Sequence, residues 1–396
     1  MSPDAASPLP HPTEEDSVHT TPWARLSGHR ATGAAALTVL AVVLLAAPLV
    51  LPDFWQQLIL FSGAAAVGAI GLNLLVGVNG QLSLAHGFFL AVGAYGYAYL
   101  GPGTGDAGTG SVGLPTPVAA LLAVAAAGVA GLLFSPVAAR VRGIYLGLAS
   151  LALIIVCKQV LAGARTLTGG AYGRDIPEFD LLGFHFGDQS PYLYVLGKPF
   201  GAFDRLWYLV MVVLVLAYVF MRNVLRSRVG RGLRTIRDSE AAAAAAGVHV
   251  QRYKSLAFTL SSVYAGIAGV LLGLLFQHVV PEYFSLTLSV QYLAMIVIGG
   301  MGSARGAVAG AFVVTGIPLL LAEYSEHIPF TSTAGDGGLD TGVLSQFVFG
   351  ALIIVILIAG ARRPGPLLRS RRAKSGDPAA SAVPTPASGP TERIRA

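Results

Sequence analysis

The sequence predicts an all-α polytopic membrane protein with about eight to ten transmembrane helices. Three observations carry this. Of the 396 residues, 54% are hydrophobic and only 12% charged, whereas a soluble domain carries about 25% charged residues. Apolar runs of roughly 20 residues recur along the chain, the length that crosses about 30 Å of hydrocarbon as a helix. Basic residues gather in particular connections between those runs, as they do when one membrane face selects for them. The net charge of +6 is accordingly read against the membrane, and no nucleic-acid partner is expected. The lone Cys157 excludes an intrachain disulfide.

Residues 1–31 are polar, acidic and proline-bearing, unlike the basic opening of a secretory signal; they are expected to form a disordered cytoplasmic tail. A membrane domain follows over 32–363, with spans at roughly 32–52, 54–78, 82–101, 116–138, 143–163, 206–222, 255–277, 286–301, 306–322 and 343–361. Glycine interrupts the apolar pattern in 82–101 and 286–322. Those stretches stay open between full crossings and glycine-broken or re-entrant segments. Around the first of them Asn73, Gln81, Ser83 and His86 lie in or beside a span, where an unpartnered polar group is costly. Hydrogen bonding between helices is the plain reading. A broken element beside the translocation path is the functional one, and Gly77, Gly80 and Gly87 permit the break. His86 has no second ligand at a useful spacing, so no metal is expected.

Lys158 lies near the end of its span and is expected to snorkel. Thr168, Gly169 and Gly170 read as an ordered turn at the start of an exterior loop, 164–205. The small residues of "IGGMGSARGAVAG" read as a close helix contact. From 364 to 396 the chain is first basic, then rich in Pro, Ala and Ser, and is expected to be a disordered cytoplasmic tail. If the N-terminus is inside, Arg140, Arg142, the segment 222–254, Arg305 and "RRPGPLLRSRRAK" all fall inside, as the positive-inside rule requires. Both termini then come out cytoplasmic.

Segment 222–254 combines Arg222, Arg226, Arg228, Arg231, Arg234, Arg237, Arg252 and Lys254 with the run "DSEAAAAAAG". Six alanines carry no propensity penalty. Asp238, Ser239 and Glu240 suit a helix N-terminus, and Gly247 suits a left-handed stop. The expectation is a short, smooth helix over 238–247. On the segment alone, a cationic anchor beside anionic membrane lipids and a helix that docks into a motor subunit both remain open.

"GRGLRTIRDSEAAAAAAGVHVQRYK" resembles the cytoplasmic-loop motif of ABC-importer permeases, in particular the LivM-type permeases of the branched-chain amino-acid (LivH/LivM) family. "GLNLLVGVNGQLSLAHGFFLAVGAYGYAYL", "RGIYLGLASLALIIVCKQVLAGARTLTGGAYGRDIP" and "VQYLAMIVIGGMGSARGAVAGA" resemble three further motifs of that family, in the same order. Two departures stand out: Gly247 lies seven positions after Glu240 where the wider motif has six, and Cys157–Lys158 replaces an acidic or amide position. The resemblance implies a permease in a bacterial cell membrane. Its partners would be a second, LivH-like permease subunit, two ABC ATPase subunits and an extracytoplasmic substrate-binding protein. It also implies that Arg234, Arg237, Glu240, Ala243, Ala244 and Gly247 couple to the ATPases, and that the substrate is a branched-chain amino acid. Urea or a short amide is the alternative substrate.

No Gly-x-x-x-x-Gly-Lys-Ser/Thr loop occurs, so ATP and Mg are expected on the partner ATPases, with no cofactor and no catalytic residue in this chain. An ion-coupled secondary carrier is the alternative from another class. The absence of Asp and Glu within the expected spans argues against it.

Overall fold

The computed structural model describes residues 46–103, 110–141, 143–181, 184–187, 193–195 and 198–324, with positions 344, 347, 348, 350, 351 and 354. Both tails and most of the expected spans 32–52 and 343–361 lie outside the described residues. From Asp53 onward the helices are α1 (Asp53–Leu72), α2 (His86–Leu100), α3 (Thr116–Arg140), α4 (Ile144–Gly163), the one-turn α5 (Arg165–Thr168) and α6 (Ala202–Arg226). They continue as α7 (Arg228–Asp238), α8 (Glu240–Ala245), α9 (Val250–Phe276), α10 (Leu286–Gly299) and α11 (Ala304–Glu323). A π-helical turn, Asn73–Val78, prolongs α1.

Among the described residues, six helices are long and apolar enough to cross a membrane: α1 with its π turn, α3, α4, α6, α9 and α11. Their burial sorts them. In α1 and α9, 83% and 78% of the most apolar window is buried, against 28–33% in the other four, so α1 and α9 form the axis of the bundle. Around them α9 packs on α1, α2 and α3, while α1 also meets α6 and α11. Small residues bring the backbones together. A Cβ added at Gly93 would strike Gly266 O, one at Gly269 would strike Leu90 O, and one at Gly310 would strike Met295 O. The outer faces of α3, α4 and α6 stay apolar, with Leu121, Leu133, Ile155 and Leu216 all more than half exposed.

Each glycine-interrupted stretch contains one short helix, and the second also holds the full-length α11. α2 has 15 residues and α10 has 14, roughly 21–22 Å at 1.5 Å per residue. Neither crosses 30 Å alone. Expected span 82–101 thus becomes a non-helical approach, Asn79–Ala85, followed by α2. Expected span 286–301 shortens to α10. The first turns of the two helices meet inside the bundle, where Gly87 N donates to Ser289 Oγ (2.9 Å).

The connections form two ends. At one, Asp53, Pro102, Asp175, Asp204 and Gln277 line a cavity of about 990 Å³. There Thr168 Oγ1 donates to Leu161 O (2.5 Å) and Ala164 O (2.9 Å), and Gly169 takes φ +74°, forming the ordered turn expected at 168–170. Arg174, 1% exposed, donates to Leu167 O (3.1 Å), and its strand residue pairs with Val279. The opposite end holds the basic segment. Two expectations need correction. α6 begins at Ala202, absorbing the tail of the expected loop 164–205. Residues 228–238, expected only as flanking cations, form α7: Ser227 Oγ accepts from Val229 N (3.1 Å), and Leu233 and Ile236 turn inward, 0% and 2% exposed.

Candidate functional site

The basic end is organised by one serine and one glycine. Ser239 is extended (φ −161°, ψ 116°), which ends α7, and its Oγ accepts from Ala242 N (3.2 Å), which starts α8. Gly247, at φ +80°, ends α8: Val248 N donates to Ala243 O and Gly247 N to Ala244 O, both 3.0 Å. This is the Schellman pattern, which needs a left-handed residue at the glycine position. α8 is therefore a defined element of six residues. Its face is small and exposed at Ala241, Ala242, Ala244 and Ala245, but Ala243 is 0% exposed. Ala243 and Ala244, both expected to couple to the ATPases, thus face different ways, because consecutive helical residues point about 100° apart.

Two contacts fasten this block to the buried helices. The Glu240 carboxylate accepts from Lys254 Nζ on α9; Lys254 is 3% exposed. Arg237 Nη1 donates to Gly77 O in the π turn of α1. Asn73 Oδ1, one turn earlier, accepts from Gly302 N (2.8 Å) in the link between α10 and α11. A Cβ at Gly77 would meet both Asn73 Oδ1 and Gly302 N, so the π turn and the link between α10 and α11 approach this closely only around a glycine. Beside them a cavity of about 230 Å³ is lined by Asn79, Gln81, Arg237, Glu240 and Lys254.

Residues that the sequence separates into a coupling set and a path set are thus partly brought together. Asn73 and Gln81 sit with Arg237 and Glu240. Gln81 Nε2 donates to Ala138 O (2.7 Å) and its Oε1 accepts from Asn79 Nδ2 (2.7 Å). Ser83 and His86 lie further into the bundle, 2% exposed each. Ser83 Oγ accepts from Ala85 N (3.4 Å). The His86 ring lies 4.7 Å from that of Tyr292, and both His86 Nε2 and Tyr292 Oη are buried without a partner among the described residues. Arg234 stays within its own segment, donating to Leu225 O (3.3 Å). The reading from sequence misses the role of Lys254, whose signal is a lone lysine entering an apolar run, and the Asn73–Gly302 bond, 229 residues apart in the chain, which has no local signal.

Long apolar helices, a buried two-helix axis and small-residue packing define a multi-pass helical membrane protein. The family model described as the permease component of the branched-chain amino acid transport system matches residues 55–357. The chain belongs to that family. It is 33% identical over 270 residues to the high-affinity branched-chain amino acid transport system permease protein LivM of Escherichia coli (strain K12), covering 65% of this chain and 61% of the relative. It is 30% identical over 320 residues to the LivM protein of Salmonella typhimurium, covering 78% and 69%. The LivH permease of Salmonella typhimurium matches at 26% over 153 residues, covering 39% and 44%. No solved structure matches the chain.

Proposed function

We propose that this chain is the permease subunit of an ATP-driven importer of branched-chain amino acids. In this reading it pairs with a second, LivH-like permease subunit, receives substrate from an extracytoplasmic binding protein and is driven by two ATPase subunits that hold the ATP and Mg. The basic end and both termini face the cytoplasm, following the concentration of arginine there. One observation carries the mechanism: α8 presents a small exposed face and is bonded to α9 through Glu240–Lys254, while the end of α7 just before it is bonded to α1 through Arg237–Gly77.

A motor subunit seated on Ala241, Ala244 and Ala245 would move α1 and α9 together, because the intervening contacts are an ion pair and a charge-assisted hydrogen bond. Such docking shifts the pore only if the motor binds its outward- and inward-facing states with different affinity. In this reading Asn73, Gln81, Ser83 and His86 serve the path by holding the break between α1 and α2.

The test is Ala244→Arg in the complex reconstituted into proteoliposomes with its binding protein. Substrate-stimulated ATP hydrolysis should fall more than about tenfold, the scale of a clash in a packed interface, while the chain inserts normally. Unchanged stimulation would remove α8 from the coupling path. Leucine uptake without ATP would indicate an ion-coupled carrier, and uptake of urea in preference to leucine would reassign the substrate.

A further inference from the structure

The basic end holds a second cavity that coupling does not use. It measures about 310 Å³ and lies between the last turns of α6, α7 and the first turn of α11, walled by Tyr218, Arg222, Arg226, Arg234, Ser303 and Arg305. None of the four guanidiniums forms an ion pair with a described carboxylate. Four like charges around one small cavity repel one another, and an anion inside relieves that repulsion. The lining suits a phosphate group: four guanidinium forks and a tyrosine share one cavity. The N-terminus of α11, a 20-residue helix capped by Ser303, adds the positive end of its dipole.

The surroundings indicate where the anion comes from. On the face of α6 that leads to Arg222 and Arg226, Val212, Val215 and Val219 are 57%, 46% and 46% exposed. An exposed apolar row therefore leads toward the arginines, and α6 touches α11 only lightly. A free anion has no use for that surface. An amphiphile with a phosphate head does, since its chains cover the α6 stripe while its head fills the cavity.

We propose that this cavity binds the headgroup phosphate of an anionic phospholipid, with its acyl chains lying along α6. The site anchors α6 and α11 to one another at the membrane boundary, next to the link that carries Gly302.

The test uses the full-length chain in detergent, with phosphatidylglycerol or phosphatidylcholine added and bound lipid counted by native mass spectrometry. Wild type should retain one phosphatidylglycerol and no phosphatidylcholine. Arg222→Gln with Arg305→Gln should weaken retention by roughly tenfold or more, given the contribution of each basic group near a membrane, and the exposed single change Arg305→Gln should weaken it in part. Arg228→Gln with Arg231→Gln removes equal charge from the same end outside the cavity and should leave retention unchanged. The site is refuted if that control loses as much lipid as the cavity variant, or if the cavity variant retains lipid like wild type. Displacement by inorganic phosphate at the concentration at which lipid binds would make it a free-anion site and overturn the lipid assignment. The readout involves neither transport nor ATP hydrolysis, so its outcome is separate from that of the coupling reading.

Discussion

Lys254 is 3% exposed, and its ammonium is held by a Glu240 carboxylate that is 27% exposed. A buried ion pair adds little net stability, but removing one partner strands the other in a medium that cannot solvate it. Glu240→Gln should therefore cost on the order of 3 kcal/mol, and less to the extent that water reaches the partly open carboxylate position. Glu240→Gln combined with Lys254→Met should recover most of that loss, since no buried charge is left. Thermal unfolding of the single and double variants in one detergent measures both outcomes. A double variant less stable than Glu240→Gln would mean that the pair is held for its own attraction. Ala243→Arg belongs to the same scale: at 0% exposure it should prevent stable folding, which separates it from its exposed neighbour Ala244.

α8 is too short to be helical by itself, since nucleation consumes most of what six residues return. It persists because both ends are specified, by Ser239 and by Gly247. Gly247→Ala should cost about 1–2 kcal/mol for a non-glycine residue at φ +80°, whereas Gly247→Asn should cost less, because asparagine enters that region more readily. Hydrogen exchange of the α8 amides is the readout: faster for alanine than for asparagine. Equal exchange would show that α8 is held by packing alone. These ends are legible in the sequence because caps are local, as Ser239 three residues before Ala242 and Gly247 after the alanine run illustrate. α7 is less legible. Its inward set of Val229, Leu233 and Ile236 has helical spacing, but the arginines between them dominate the pattern. The break at Asn79–Ala85 shows in its glycines, yet its depth in the bundle depends on Ser150 and Ser289, residues far away in the chain.

On the scale of the molecule, the bundle sorts its connections onto two ends, and among the described residues α6 is the one helix between Tyr172 and Ala244 long enough to cross a membrane. Tyr172 is 91% exposed and Ala244 lies on the outer face of α8. In a Cys157→Ala background, Tyr172→Cys and Ala244→Cys should react with a membrane-impermeant maleimide from opposite sides of sealed vesicles. Labelling from the same side would overturn the assignment of α6 as a crossing. That the chain is built of long apolar helices follows from composition, but not that the expected spans 82–101 and 286–301 shorten to 15 and 14 helical residues. Nor does composition tell which two helices form the axis, since α3 is as apolar as α1; the distinction lies in where Gly71, Gly266 and Gly269 admit a neighbouring backbone and Gly68 admits the Tyr292 ring.

The meeting of α2 and α10 has a consequence for how such a bundle can open. α2 begins within the interior, and the Gly87 amide of its first turn leans on Ser289 of α10. Drawing the two apart would bare a donor that lipid tails cannot satisfy. A dry opening is thereby disfavoured along this seam. Whatever motion parts it must let the seam become wet, so hydration and opening are a single event there.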